Sequence, residues 1–246
     1  MKKYKFEVCA FTIQSCLIAQ MAGAARVELC DNPIEGGTTP SFGLIKWARN
    51  KIDIELFPII RPRSMNYYYD EDEWQIMLAD VAMCKELGCD GISVGVQKLN
   101  GEVDADKMKK LVEVAYPMIV ASNRVIDAAP DPYIALEVLI DAGCKRVLTS
   151  GKAATAPAGV DTLKQLVQQA NGRISIMPGA GVNASNIQQL IDATGAHEFH
   201  GSARITVSNP VLYNNPAVTD SGNMVVADLQ EIQNIVAVLE RRNEGR

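Results

Sequence analysis

Short β-branched and aliphatic runs alternate along the chain with longer segments whose apolar residues recur every three or four positions. The short runs read as strands over Lys5–Ala10, Arg26–Cys30, Ile54–Ile60, Gly91–Val96, Met118–Ser122, Arg146–Thr149, Ile174–Met177 and Glu198–Gly201. The longer segments read as helices beginning near Ile13, Phe42, Asp72, Asp104, Asp131, Val160, Ala184 and Leu229. Asp104 precedes Met108, Leu111 and Val112, and Asn183 precedes Ile187, Leu190 and Ile191, as helix-starting side chains do. Gly23, Gly88 and Gly143 each close an apolar-periodic stretch, where a left-handed helix cap favours glycine. Eight such βα units predict an α/β fold, a (β/α)8 TIM-type barrel forming a single domain over residues 1–246. A doubly wound open sheet is the alternative, because a count of units does not prove closure.

The 246 residues match the roughly 250 that such a barrel needs. The connections Arg61–Glu71 and Ala203–Val226 are long, and both leave strand C-termini, the end at which barrel sites assemble. A net charge of −5 without a dense Lys/Arg stripe argues against nucleic acid as a partner. No apolar run reaches the ~18 residues of a membrane span, so no membrane partner is expected. Glu7 interrupts the apolar core a signal peptide would need, and the expected location is cytoplasmic. Six cysteines without a CxxC pair point to free thiols that serve as core fillers, metal ligands or nucleophiles.

Phe6-Glu7-Val8-Cys9 and Val27-Glu28-Leu29-Cys30 repeat a Glu-x-Cys pair on neighbouring strands. Period-2 alternation sends Val8, Val27 and Leu29 to the helices and Glu7, Cys9, Glu28 and Cys30 into the barrel. Both cysteines then lie near the mouth and close together, unless they are only small fillers of a tapering barrel. Buried carboxylates need partners, and the expected cations are Arg61, Arg63 and Arg124. Pro62 keeps Arg61 and Arg63 extended, so both guanidinium groups are expected on one face. Three arginines at one mouth suit a phosphate or carboxylate ligand, or else neutralise the two acids. Gly179-Ala180-Gly181, leading into a helix, and Gly201-Ser202 occupy the loops that form phosphate sites in such barrels. His200 stands as an acid/base, a metal ligand or a core residue. Lys152 is the one lysine near an inward mouth position, so Schiff-base chemistry is not expected.

The motifs Arg26-Val27-Glu28-Leu29-Cys30, Glu35-Gly36-Gly37-Thr38-Thr39-Pro40-Ser41, Ile60-Arg61-Pro62-Arg63, Arg146-Val147-Leu148-Thr149-Ser150-Gly151, Met177-Pro178-Gly179-Ala180-Gly181 and Glu198-Phe199-His200-Gly201-Ser202-Ala203-Arg204 resemble the CutC family, named for copper homeostasis. The resemblance runs to about Arg204. It implies a TIM-type barrel, a cytoplasmic location and a homo-oligomer, and it points to Cys9 and Cys30 as copper ligands. The chain departs from the family pattern at Asn123, where the family has histidine ahead of Arg124 and Asp127. Ser64-Met65 likewise replaces a Gly-Gly pair.

Two functions are therefore expected to compete. One is binding of copper(I) by the Cys9 and Cys30 thiolates. The other is an enzyme acting on a small phosphorylated or carboxylated molecule, with Glu7, Glu28 or His200 as acid/base. In that reading Arg61, Arg63, Arg124, Asp127, Ser150, Gly179, Gly181 and Ser202 hold the anion. A purely structural protein is a third reading, and it leaves the inward acids and arginines without a purpose.

Overall fold

In chain order the elements are β1 (Lys5–Ala10), α1 (Ile13–Met21), β2 (Arg26–Leu29), α2 (Phe42–Arg49), β3 (Glu55–Ile60), α3 (Glu71–Glu86), β4 (Gly91–Val94), α4 (Ala105–Ala115), β5 (Ile119–Ser122), α5 (Val125–Ala128), α6 (Pro132–Asp141), β6 (Arg146–Thr149), α7 (Val160–Ala170), β7 (Ser175–Pro178), α8 (Ile187–Thr194), β8 (Glu198–Gly201), β9 (Arg204–Val207), β10 (Met224–Ala227) and α9 (Leu229–Glu244). The computed structural model describes residues 3–208, 210, 211, 213, 215, 217 and 223–245. Met1, Lys2 and Arg246 of the expected 1–246 domain, and part of the Ala203–Val226 connection, lie outside the described residues.

Strands β1 to β8 are parallel and hydrogen-bonded in the order β7-β6-β5-β4-β3-β2-β1-β8. The end strands β7 and β8 lie against each other, so the sheet returns on itself as a nearly closed barrel. The open-sheet alternative is thereby set aside. Outward strand residues such as Phe6, Val8, Val27, Leu29, Leu56 and Ile60 are buried beneath Ile45, Met77, Val81, Leu111 and Leu136 of the helices. This apolar shell between strands and helices is the main core, removed from water at about 25 cal/mol per Å². It frees the strands' inner faces to carry polar residues.

Helix starts are mostly set by short polar side chains. Asp104 accepts from Lys107 N, Asp131 from Tyr133 N and Ile134 N, and Asp70 forms a reciprocal capping box with Glu73. Asn183 behaves differently. Its Oδ1 accepts from Ser185 N and Asn186 N, closing a side-chain turn, and α8 begins only at Ile187. The Gly179–Gly181 loop therefore does not run straight into a helix N-terminus, contrary to expectation.

The connection after β8 also holds an unexpected antiparallel pair, with Arg204 opposite Ala227 and Val207 opposite Met224. Ile205-Thr206-Val207 and Val225-Val226 carry the β-branched signal for it. Gly91 opens β4 because a Cβ there would stand 2.1 Å from the Phe57 ring and 2.4 Å from the Ile119 carbonyl oxygen.

Candidate functional site

The inward phase of β2 is Arg26, Glu28 and Cys30, and that of β1 includes Glu7 and Cys9. Parallel register sets Glu7 beside both Arg26 and His200, and Cys9 beside Glu28. Three adjoining strands thus build a vertical stack from barrel floor to mouth.

Its lower layer is ionic. Arg26, only 1% exposed, donates to Glu7, to Glu55 Oε2 at 3.0 Å and to Glu198 Oε2 at 2.8 Å. Arg146 Nε adds a 2.7 Å bond to Glu198, and the Phe57 ring lies 5.2 Å from each guanidinium carbon. The partner of Glu7 is therefore Arg26 rather than Arg61, Arg63 or Arg124, and Glu28 forms no ion pair with any arginine among the described residues. The signal was available, since Arg26 shares the phase of Glu28, as Arg146 and Glu198 share that of their own strands' inner faces. Burial raises the Glu7 pKa, but the Arg26 guanidinium and His200 outweigh it and hold the carboxyl at about 2.

Above this layer Glu7 Oε1 accepts from His200 Nδ1 at 2.7 Å, which fixes the ring and leaves Nε2 3.8 Å from Glu28 Oε2. Cys9 Sγ lies 3.7 Å from Cys30 Sγ, and Cys30 Sγ lies 3.6 Å from Glu28 Oε2. The Cys30 thiol and the His200 ring draw the Cys9 pKa down to about 5, whereas Cys9 and burial push Cys30 up. His200 rises well above its ordinary value: burial opposes protonation, but Cys9 and Glu7 more than offset it. Burial raises Glu28 to about 8. The stack thus presents two cysteine sulfurs and a carboxyl, whose ligand atoms lie within 4.8 Å of one another.

Cys9, Glu28 and His200 line a cavity of about 320 Å³ at the mouth, bordered also by Asn123, Arg124, Gly181 and Ser202. Arg124 spends Nε on Asp127 at 2.8 Å and Nη2 on Ser150 Oγ at 2.7 Å. Asp127 in turn anchors the loop after β6, accepting from Thr149 Oγ1, Ser150 N and Lys152 N. Asp127 and Ser150 accordingly hold Arg124 in place at the outer edge of the cavity, while the Lys152 ammonium turns away to the Ala129 and Pro130 carbonyls. Gly179 N–H is spent on Thr149 O at 3.0 Å, and a Cβ there would meet Leu148 Cδ1 at 2.4 Å, so that glycine serves packing. Gly181, with φ +78, borders the cavity.

Arg61 and Arg63 do not share a face. Arg61 Nη1 donates to the Glu35 and Gly37 carbonyls and borders an adjoining cleft of about 350 Å³ with Asp127. Arg63 pairs with Glu73 at the start of α3 and donates to the Tyr68 carbonyl, away from the cavity. Its neighbours Ser64 and Asn66 are bonded to the same guanidinium, so the departure from the family's Gly-Gly sits in a loop that Arg63 itself organises. The chain bends at Pro62 instead of staying extended, and the start of α3 supplies Arg63 with its partner Glu73.

The chain matches the CutC family over residues 4–205. It is 44% identical over 231 residues to a family protein CutC of Bacteroides thetaiotaomicron, covering 94% of this chain and 93% of that one. It is 46% identical over 235 residues to one of Xanthomonas campestris pv. campestris, covering 95% and 98%. A crystal structure from Streptococcus agalactiae, provisionally assigned as the copper homeostasis protein CutC, superposes with a TM-score of 0.77 at 32% identity, over 81% of this chain and 98% of that one.

Proposed function

The chain belongs to the CutC family, and on that footing we propose that it binds Cu(I) between the Cys9 and Cys30 thiolates at the barrel mouth, in a cytoplasmic role in copper homeostasis. The observation that carries the proposal is the 3.7 Å between two sulfurs, of which Cys9 borders the mouth cavity and Cys30 lies buried directly beside it. Soft thiolates select Cu(I), and two sulfurs in contact need only a small separation to close on one shared ion. Neighbouring His200 favours the thiolate form of Cys9, the form that binds metal. Glu28 is a hard oxygen donor, a poor third ligand for Cu(I); it accepts from the Cys30 thiol in the metal-free protein, and that proton leaves when the metal binds. The copper is cargo here, and a homo-oligomer, as the family resemblance implies, belongs to the same reading. An anaerobic competition titration of Cu(I) against a chromophoric chelator tests it. The wild type is expected to take one equivalent and Cys9→Ser/Cys30→Ser none, while equal uptake by both would overturn the proposal.

A second reading is favoured by the donors around the cavity. Arg124 and the buried amide of Asn123 border the cavity that Cys9 lines, which supports a small phosphorylated or carboxylated ligand. In that reading His200, oriented by Glu7, would act as the acid/base beside Glu28. Phosphate against chloride at matched ionic strength is expected to raise the melting temperature, since a ligand of the folded state stabilises it by mass action. Identical melting in both salts would remove the second reading.

A further inference from the structure

Asn123 follows β5 at an inward position and borders the mouth cavity. Its Oδ1 accepts from Val125 N at 3.0 Å, which settles the amide's orientation and leaves Nδ2 as the free end. That Nδ2 is buried and meets no acceptor within the protein. Gly95, on the next strand's continuation, makes room for this arrangement: a Cβ there would stand 2.2 Å from Asn123 Oδ1 and 2.6 Å from Val125 Cβ. Two positions therefore combine to hold an unpaired amide donor in place beside the cavity, a costly state unless something that enters the cavity accepts from it.

The charges around the cavity say what enters. Arg124 stands at its outer side and also borders the cleft that contains Arg61 Nε, a second buried donor without an acceptor. An anionic group suits that side. Glu28 and Cys9 line the inner side together with His200, whose Nδ1–H is already spent on Glu7, so among the described residues that side offers no unpaired cation to balance a second negative charge. The acceptor that reaches Asn123 must then be uncharged, and a carbonyl oxygen has the required lone pairs without a proton of its own.

We propose that Asn123 is a specificity-determining residue that donates from Nδ2 to the carbonyl oxygen of a small carboxylate or phosphate-type ligand whose anionic end lies at Arg124. The proposal rests on the anion reading above and adds the carbonyl to it. The ligand differs from a simple anion by one hydrogen bond made at a fixed donor.

Propylphosphonate and 2-oxopropylphosphonate form a matched pair that differs by one carbonyl oxygen. Their affinities are measured by ³¹P NMR titration of the metal-free protein, at a pH where both are dianions. The wild type is expected to bind the oxo compound about tenfold more tightly, the worth of one well-placed hydrogen bond. Asn123→Ala is expected to abolish that preference, the two phosphonates then binding with equal affinity, and far-ultraviolet circular dichroism shows whether the variant is folded. Asn123→Asp keeps the acceptor for Val125 N but loses the donor, and it too is expected to lose the preference. If neither phosphonate binds the wild type, the anion reading falls and this proposal with it. If both bind equally, or if the preference survives Asn123→Ala, the anion reading stands and the role of Asn123 is overturned.

Discussion

Cys9 Sγ lies 3.7 Å from Cys30 Sγ although the backbone register places Cys9 beside Glu28, two residues earlier on the neighbouring strand. The two thiols meet diagonally across adjacent strands, with the Glu28 carboxyl beneath Cys30. This spacing makes the pair vulnerable to oxidation as well as suited to a soft metal. Mild oxidant is expected to remove two thiols and join the peptides that contain Cys9 and Cys30, as read by thiol titration and peptide mass mapping. One equivalent of Cu(I) is expected to slow the reaction, and unchanged kinetics would count against a shared ion.

The Arg26–Glu7 pair should be the most sensitive point of the barrel floor. Arg26→Met leaves Glu7 buried without its guanidinium partner, while Glu55 and Glu198 keep Arg146, and is expected to cost about 3–5 kcal/mol. Urea denaturation measures it. The double variant Arg26→Met/Glu7→Gln should recover part of the loss, because the uncompensated charge is then gone.

Acid should act through the same carboxyl. With Glu7 held at about 2 in the folded chain, against an ordinary value of 4.5, its contribution is complete above pH 4.5 and is lost as pH falls toward 2. Melting temperature measured across that window is expected to fall more steeply for the wild type than for Glu7→Gln. Parallel curves would mean that Glu7 is not held ionised by its partners.

Gly95→Ala tests the packing of the mouth. The added Cβ falls within 2.6 Å of Val125 Cβ and closer still to Asn123 Oδ1, so the amide must move. A loss of about 1–3 kcal/mol is expected by thermal or urea denaturation.

Much of this was legible from alternation alone. Period-2 phase put Glu7, Cys9, Glu28 and Cys30 inside, and the recurrence of βα units gave the barrel. The same phase would have placed Arg26 inside with them, yet the arginines at the mouth drew the expected pairing upward. Arg61 and Arg63 went astray for another reason: their partners, the Glu35 and Gly37 carbonyls and Glu73, belong to loops and a helix start whose positions no strand pattern fixes. Asn183 carried a true capping signal but, four residues before α8 begins, used it for a side-chain turn. The donor role of Asn123 depends on which end of its amide Val125 N–H occupies, a choice made only by tertiary geometry.

The most direct test of copper binding is the copper K-edge absorption spectrum of the protein loaded anaerobically with one equivalent of Cu(I). The account requires two sulfur neighbours around the metal in the wild type, one after Cys9→Ser or Cys30→Ser, and none after the double substitution. A first shell of nitrogen and oxygen alone, or a sulfur shell that persists in the double variant, would contradict it.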